Sequence, residues 1–445
     1  IMLIGLIIII QLFIPQIQNF VLAVIMFSAW KDKNIYFIVK KNLEGHQRRN
    51  QKVSIMFMIA LGFIIFSGCT LNLVVDFVKT LAKSAMGGDC AFWVGNQATL
   101  NEILLKDYLT NTIDKFPNLI YNYSFISNPV GYIIDRDTSI SALNGYPSKD
   151  RNIMAVDRNL VQSGFSDLYI ASDYDSNLNY SYIPGTRKVD LVSMLYENPN
   201  IGRIIKNSSE VNFPINPNLT KYQLDMQLNV IAAEGIRKTM AIGPDNPCSA
   251  GFSTRYNQRI PCKVVGLASK LPGFPTFSSY STLAYMSPVL ISMEQMGELL
   301  KKEMKMYPDI KEYIEKSKAI KNTPDGISKQ GLLVKFHSDA NPTLRDMVYY
   351  EIKNIIEEDG ASSFLIDDVI ETANTIGDIM GYIFLVLGLI ALILSFFLIW
   401  TSFYSNIKEN ICEYGIMRSI GVTKNQSTRL YMYEAASIIV SSIIT

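Results

Sequence analysis

At 445 residues the chain is long enough for two or three soluble domains. Its 49% apolar and 18% charged residues and mean hydropathy of +0.16 instead suit a protein that is part membrane and part soluble. A net charge of +1 excludes the basic bias of a nucleic-acid binder, and two histidines with no Cys-x-x-Cys pair exclude the usual metal clusters.

Residues 1–30 carry no charge, with Pro15, Gln16, Gln18 and Asn19 dividing them. They read as one long span or the ends of a tight hairpin, in a chain that belongs to something longer. No basic start or small-residue cleavage site marks a signal peptide. Residues 31–52 hold Lys31, Lys33, Lys40, Lys41, Arg48, Arg49 and Lys52 against Asp32 and Glu44. The positive-inside rule makes them cytoplasmic, as a basic amphipathic helix. An uncharged run from Val53 gives a transmembrane helix over 53–76. A second lies at 375–403, and a third begins at 429 and is still apolar at Thr445. Asp378 marks the outer edge of the second. Lys408, Arg418, Lys424 and Arg429 place 404–428 on the cytoplasmic side. The fold class is therefore a membrane α-helical bundle with a large mixed α/β extracytoplasmic domain, residues 77–374, inserted between two transmembrane helices.

Within 77–374, "CKVVGLASK" reads as a strand and "VLISMEQMGELLKKEMK" as a strand running into a helix. "LLVKFHS" alternates like a strand. In 341–359, Leu344, Met347, Val348, Ile352, Ile355 and Ile356 recur at helical spacing, and "SSFLIDDV" follows as a strand. Residues 90–235 are rich in Asn, Tyr, Ser and Asp and weakly periodic, and predict irregular loops on a second subdomain. Sequons stand at Asn122, Asn179, Asn207 and Asn218, candidate glycosylation sites in an exported domain of a eukaryotic host. Cys248 and Cys262 bracket thirteen residues, a hairpin that a disulfide could close, which leaves Cys90 over; free buried thiols are the other reading. No phosphate loop, nucleophile elbow or acid pair supports catalysis. His46 and His337 fall on opposite sides of the membrane, and the acids of "IDDVIE" read as a solvated helix end. No enzyme activity, metal or cofactor is expected in this chain.

The informative stretch is "NIKENICEYGIMRSIGVTKNQ". Glu409 and Glu413 sit early and Arg418 late in a proline-free helix, an order that suits the helix dipole. Gly421 is a natural helix stop, and Thr423 with Gln426 forms a capping box that starts another helix. Ile416, Met417 and Ile420 make an apolar patch needing a partner, whether a span, a lipid surface or a protein. Glu434 falls two to three turns into the last helix, as an intramembrane acid with a partner or a function, or as an acid still at headgroup level.

"EYGIMRSIGVTKNQSTRLYMYEA" resembles the segment between the second and third spans of FtsX-like ABC permeases, through Glu413, Gly415, Ile416, Arg418, Ile420, Gly421, Gln426 and Glu434. "KNLEGHQRRNQKVSIMFMIALGF" resembles the basic helix leading into that family's first span, although "RRNQK" departs from the commoner Arg-rich pattern. The region 77–374 resembles a MacB-like outer domain only loosely. The resemblance implies a permease half that couples ATP hydrolysis on a separate ABC ATPase to motion of the outer domain. Residues 413–426 would form the coupling surface, with Glu413 and Arg418 setting its register by charge. Residues 1–30 would then belong to membrane helices of a preceding unit, and a second permease half and the lipid bilayer are further partners. Such a chain is an integral, multi-pass protein of the plasma membrane or an endomembrane in a eukaryote, or of the inner membrane in a bacterium. The alternative is a receptor-like or adhesion protein whose ectodomain binds a ligand without any ATPase.

Overall fold

The computed structural model describes residues 2–28, 33–45, 47–142, 149–174, 181–197, 226–244, 248–252, 259–280, 286–317, 319–357, 360–409 and 411–444. From the N-terminus come α1 (Met2–Ser28), α2 (Lys33–Gly45), α3 (Gln47–Met86), β1 (Cys90–Trp93), α4 (Glu102–Lys115), β2 (Ile120–Ser127), α5 (Val130–Ile134), β3 (Thr138–Ala142), β4 (Lys149–Asp150) and β5 (Ile153–Val156). The middle holds α6 (Leu160–Ser163), β6 (Ile170–Tyr174), β7 (Ser181–Tyr182), β8 (Val189–Asp190), α7 (Leu191–Glu197), β9 (Leu228–Ala233), α8 (Glu234–Met240), β10 (Cys248–Phe252), β11 (Arg259–Lys270) and β12 (Val289–Ser292). The last part is α9 (Met293–Met306), α10 (Pro308–Lys316), α11 (Ala319–Asn322), β13 (Lys329–Phe336), α12 (Pro342–Ile356), β14 (Ser362–Leu365), α13 (Ile366–Glu409), α14 (Ile411–Ser419) and α15 (Lys424–Ile444). Two compact units result: Ile1–Phe77 with Ala373–Thr445, and Val78–Thr372.

The first unit is helical. Asn50–Met86 and Ile366–Leu398 are long and apolar enough to cross a membrane. Their large apolar side chains face outward, as with Phe63, Ile65 and Leu73 on α3 and Leu385, Leu389 and Phe397 on α13. Surface of that kind suits lipid and not water. The two helices approach closely at glycines. A Cβ on Gly388 would lie 2.8 Å from Ile64, and one on Gly377 2.6 Å from Val75. These contacts run antiparallel, eleven residues apart on each helix.

Residues 2–28 form one helix that continues through Pro15, not a hairpin. The described residues of the basic segment 31–52 are helical, in α2 and the start of α3. The α2 helix buries Ile35, Val39 and Leu43, a stripe at four-residue spacing, against α1 and α15.

The second unit is built on a twelve-stranded mixed sheet, ordered β14-β1-β13-β2-β5-β12-β9-β11-β10-β3-β4, with β6 also on β11. At one end β1, α4, β2, β13, α12 and β14 form a β-α-β-β-α-β set with antiparallel strand order β14-β1-β13-β2, the ferredoxin-like arrangement. Residues 128–328 are inserted between its second and third strands. The insertion leaves and returns at one point, where the N–H of Asn128 donates to Ser328 O at 2.9 Å. Only Ile126↔Val156 pairs β2 with β5, and only Leu290↔Ile231 pairs β12 with β9, so the sheet narrows at both places.

Two sequence expectations are corrected here. The described residues of 90–235 are not irregular: they include nine strands of the two sheets, and β5 and β9 are buried along their whole length. A strand buried on both faces has no polar alternation to reveal it. "SSFLIDDV" is a strand only to Leu365, and Ile366 opens α13 with Asp367 and Asp368 in its first turn.

One buried ionic group stands in this core. Lys329 of β13 is almost fully buried, with Nζ 2.6 Å from Asp325 and 3.6 Å from Glu102 in the first turn of α4. Glu102 also meets Lys106 at 2.6 Å. Removing one partner of such a pair strands a charge, at about 3–5 kcal/mol.

Candidate functional site

Two local signals shape the segment after α13. Helix α14 ends in a Schellman motif: Val422 N–H donates to Met417 O at 3.1 Å and Gly421 N–H to Arg418 O at 3.2 Å. Gly421 has φ +101°, a left-handed value that an L side chain resists. Two residues on, the capping box closes. Gln426 N–H donates to Thr423 Oγ1 at 3.3 Å, and Thr423 N–H donates to Gln426 Oε1 at 2.9 Å. The chain stops, turns and restarts as α15 within five residues.

The predicted coupling residues divide into two sets. Ile416 and Ile420 are exposed, and with the exposed Cys412 they form an i, i+4, i+8 stripe. Met417 turns the other way, half-buried against the cluster of Leu22, Met26, Ile35, Val39, Leu43, Leu430 and Ile438. The apolar patch read from the sequence is thus one anchor and two free side chains. Gly415 and Arg418 are exposed. Glu413 lies in the first turn of α14, and its side chain is outside the described residues. Glu409 is the last described residue of α13, and its side chain is outside the described residues.

Helix α15 buries Leu430, Glu434 and Ile438 at four-residue spacing. Leu430 and Ile438 pack on α1 and α2, so Glu434 lies on the face turned toward those helices. The Ser54 and Ser442 hydroxyls meet at 2.5 Å, tying α15 to the start of the apolar part of α3. Reading the sequence missed Cys412 and the α2 stripe; the 35, 39, 43 spacing was the available signal for the latter.

The family model for the FtsX-like permease C-terminal region matches residues 385–445. Over this segment the chain is similar to the C-terminal region of FtsX-like permeases. The match begins within α13 and takes in α14, α15 and every predicted coupling residue. No curated protein matches the sequence. Among solved structures, the periplasmic region of MacB from Actinobacillus actinomycetemcomitans is similar at 10% identity and a TM-score of 0.31, over 66% of this chain and 94% of that one. A domain of a putative permease protein from Porphyromonas gingivalis is similar at 8% identity and a TM-score of 0.27, over 62% and 87%.

Other candidate sites lie in the α/β unit. Asn122 is on β2, where its side-chain oxygen accepts from Tyr123 N–H at 2.9 Å and its amide nitrogen is 3.5 Å from Gln162 Oε1. Asn179, Asn207 and Asn218 lie outside the described residues. Cys248 and Cys262 face each other across β10 and β11 with free sulfurs. Among the described residues, no group of three or more His, Cys, Asp or Glu is placed to hold a metal ion.

Proposed function

We propose that this chain is the permease half of an ABC-type transporter or mechanotransmission complex, driven by a separate ATPase on the cytoplasmic side. Helices α3 and α13 cross the bilayer, and the 78–372 unit lies outside. The ATPase pushes on α14, and α15 carries the push to α1 and α2.

One observation carries the reading. The α14 helix is held at its end by the Gly421 stop and the Thr423–Gln426 cap, and anchored by Met417, while Ile416 and Ile420 stay exposed. A docking surface needs an apolar centre on a rigid support, and this segment supplies both. Arg418 is exposed on the same helix, where its charge sets register against the partner. ATP then binds on the partner, and this chain contributes contact and leverage.

The test is Ile416→Asp together with Ile420→Asp in the full-length chain. Both side chains are exposed, so insertion and folding should be retained while co-purification of the ATPase and substrate-stimulated ATP turnover fall at least tenfold. Undiminished co-purification and turnover would sink the proposal.

A further inference from the structure

Cys248 opens β10, and Cys262 is the fourth residue of β11. The two strands pair antiparallel with these residues directly opposite each other. Such a pair holds its Cα atoms about 4.5–5.5 Å apart, within the roughly 4.4–6.8 Å that a disulfide spans. Opposed side chains also leave the sheet on the same face. Both residues are buried, and the Cys262 thiol donates to Ile260 O at 3.4 Å. Cys90 is no rival: it sits on β1 with Val334 and Leu365 opposite it.

We propose that Cys248 and Cys262 become an inter-strand disulfide as the 78–372 unit matures, an inference that rests on that unit lying outside the membrane. The oxidant is a small-molecule or protein disulfide. One cysteine thiolate attacks it, forming a mixed disulfide and releasing one thiolate. The second cysteine thiolate then attacks the mixed disulfide at the cysteine sulfur, closing the new S–S bond and expelling the other thiolate. Two electrons pass to the oxidant, which leaves as two thiols carrying the two protons. Exchange precedes final closure of the hairpin, because the neighbouring Cys248 thiol and burial hold the Cys262 thiol well above its ordinary pKa afterwards. The bond has a mechanical role. Strand β10 lies between β11 and β3, so the β3–β4 edge reaches the sheet through β10. The bridge adds a covalent tie between β10 and β11 to their backbone pairing.

The full-length protein is acid-quenched in its native membranes, denatured and alkylated with N-ethylmaleimide, then reduced and alkylated with the isotopically heavy reagent. We expect Cys248 and Cys262 to carry only the heavy label and Cys90 the light one. A second arm equilibrates reduced, purified protein in a glutathione redox buffer and expects the same pattern. Light label on both cysteines in both arms overturns the pairing. A bridge in the glutathione arm but not in membranes upholds the pairing and overturns the exported setting. In Cys248→Ser, Cys262 should move to the light label; heavy label there would mean another partner and would overturn the proposal. Should that variant fail to fold, Cys90→Ser leaves the pair intact and must keep both cysteines heavy.

Discussion

The carboxylate of Asp157 accepts the backbone N–H of Phe125 at 2.7 Å, joining the loop after β5 to β2. Burial pushes its pKa above the ordinary carboxylate value; the Phe125 N–H and the charges of Lys329 and Lys106 pull it back in part. The folded state therefore holds a proton that the unfolded chain has already lost. Stability from this residue is present below about pH 4 and lost as pH rises through the raised value. Asp157→Asn removes that dependence. The variant should gain thermal stability relative to the parent between pH 4 and pH 7, and a melting-temperature difference that shrinks over that interval would refute the assignment. Residues of this kind are hard to read from sequence: Asp157 and Glu102 look like surface acids until folding brings Lys329 beside them.

At the level of elements, local chemistry was legible and long-range pairing was not. Gly421 and the Thr423–Gln426 spacing act within one turn of chain, so sequence alone gives the stop and restart that the structure contains. The same holds for β13, α12 and β12 with α9, where period or propensity is strong. By contrast, β14 is separated from β13 by β1, a strand some 240 residues earlier that no local pattern connects to either. The coupling patch was half legible: spacing marks Ile416, Met417 and Ile420 as apolar, but only packing tells Met417 inward from its neighbours outward. Helix pairing hides in a similar way. Gly377 and Gly388 look like ordinary glycines of a membrane run, yet at each an added Cβ would meet an α3 side chain within 3 Å. Gly388→Val would drive a methyl group into Ile64, an overpacking cost of about 1–3 kcal/mol. The detergent-solubilised variant should melt several degrees lower. A melting temperature equal to that of the parent would show that the two helices do not meet there.

At the level of the whole molecule, strand order has a consequence for synthesis. The β1 strand is made early, but both of its neighbours, β13 and β14, come at the end of the α/β unit. At about 5–20 residues per second, the first strand waits roughly 12–50 s for a partner. Cys90, fully buried between those strands in the finished protein, is a built-in clock for that wait. In chains stalled on the ribosome near residue 320 it should react with maleimide within seconds, and in the released protein not at all. Equal protection in both would mean that something else shelters β1. A nascent chain with an orphaned apolar strand exposes it throughout that interval, so the length of the insertion at 128–328 sets how long β1 stays unpaired.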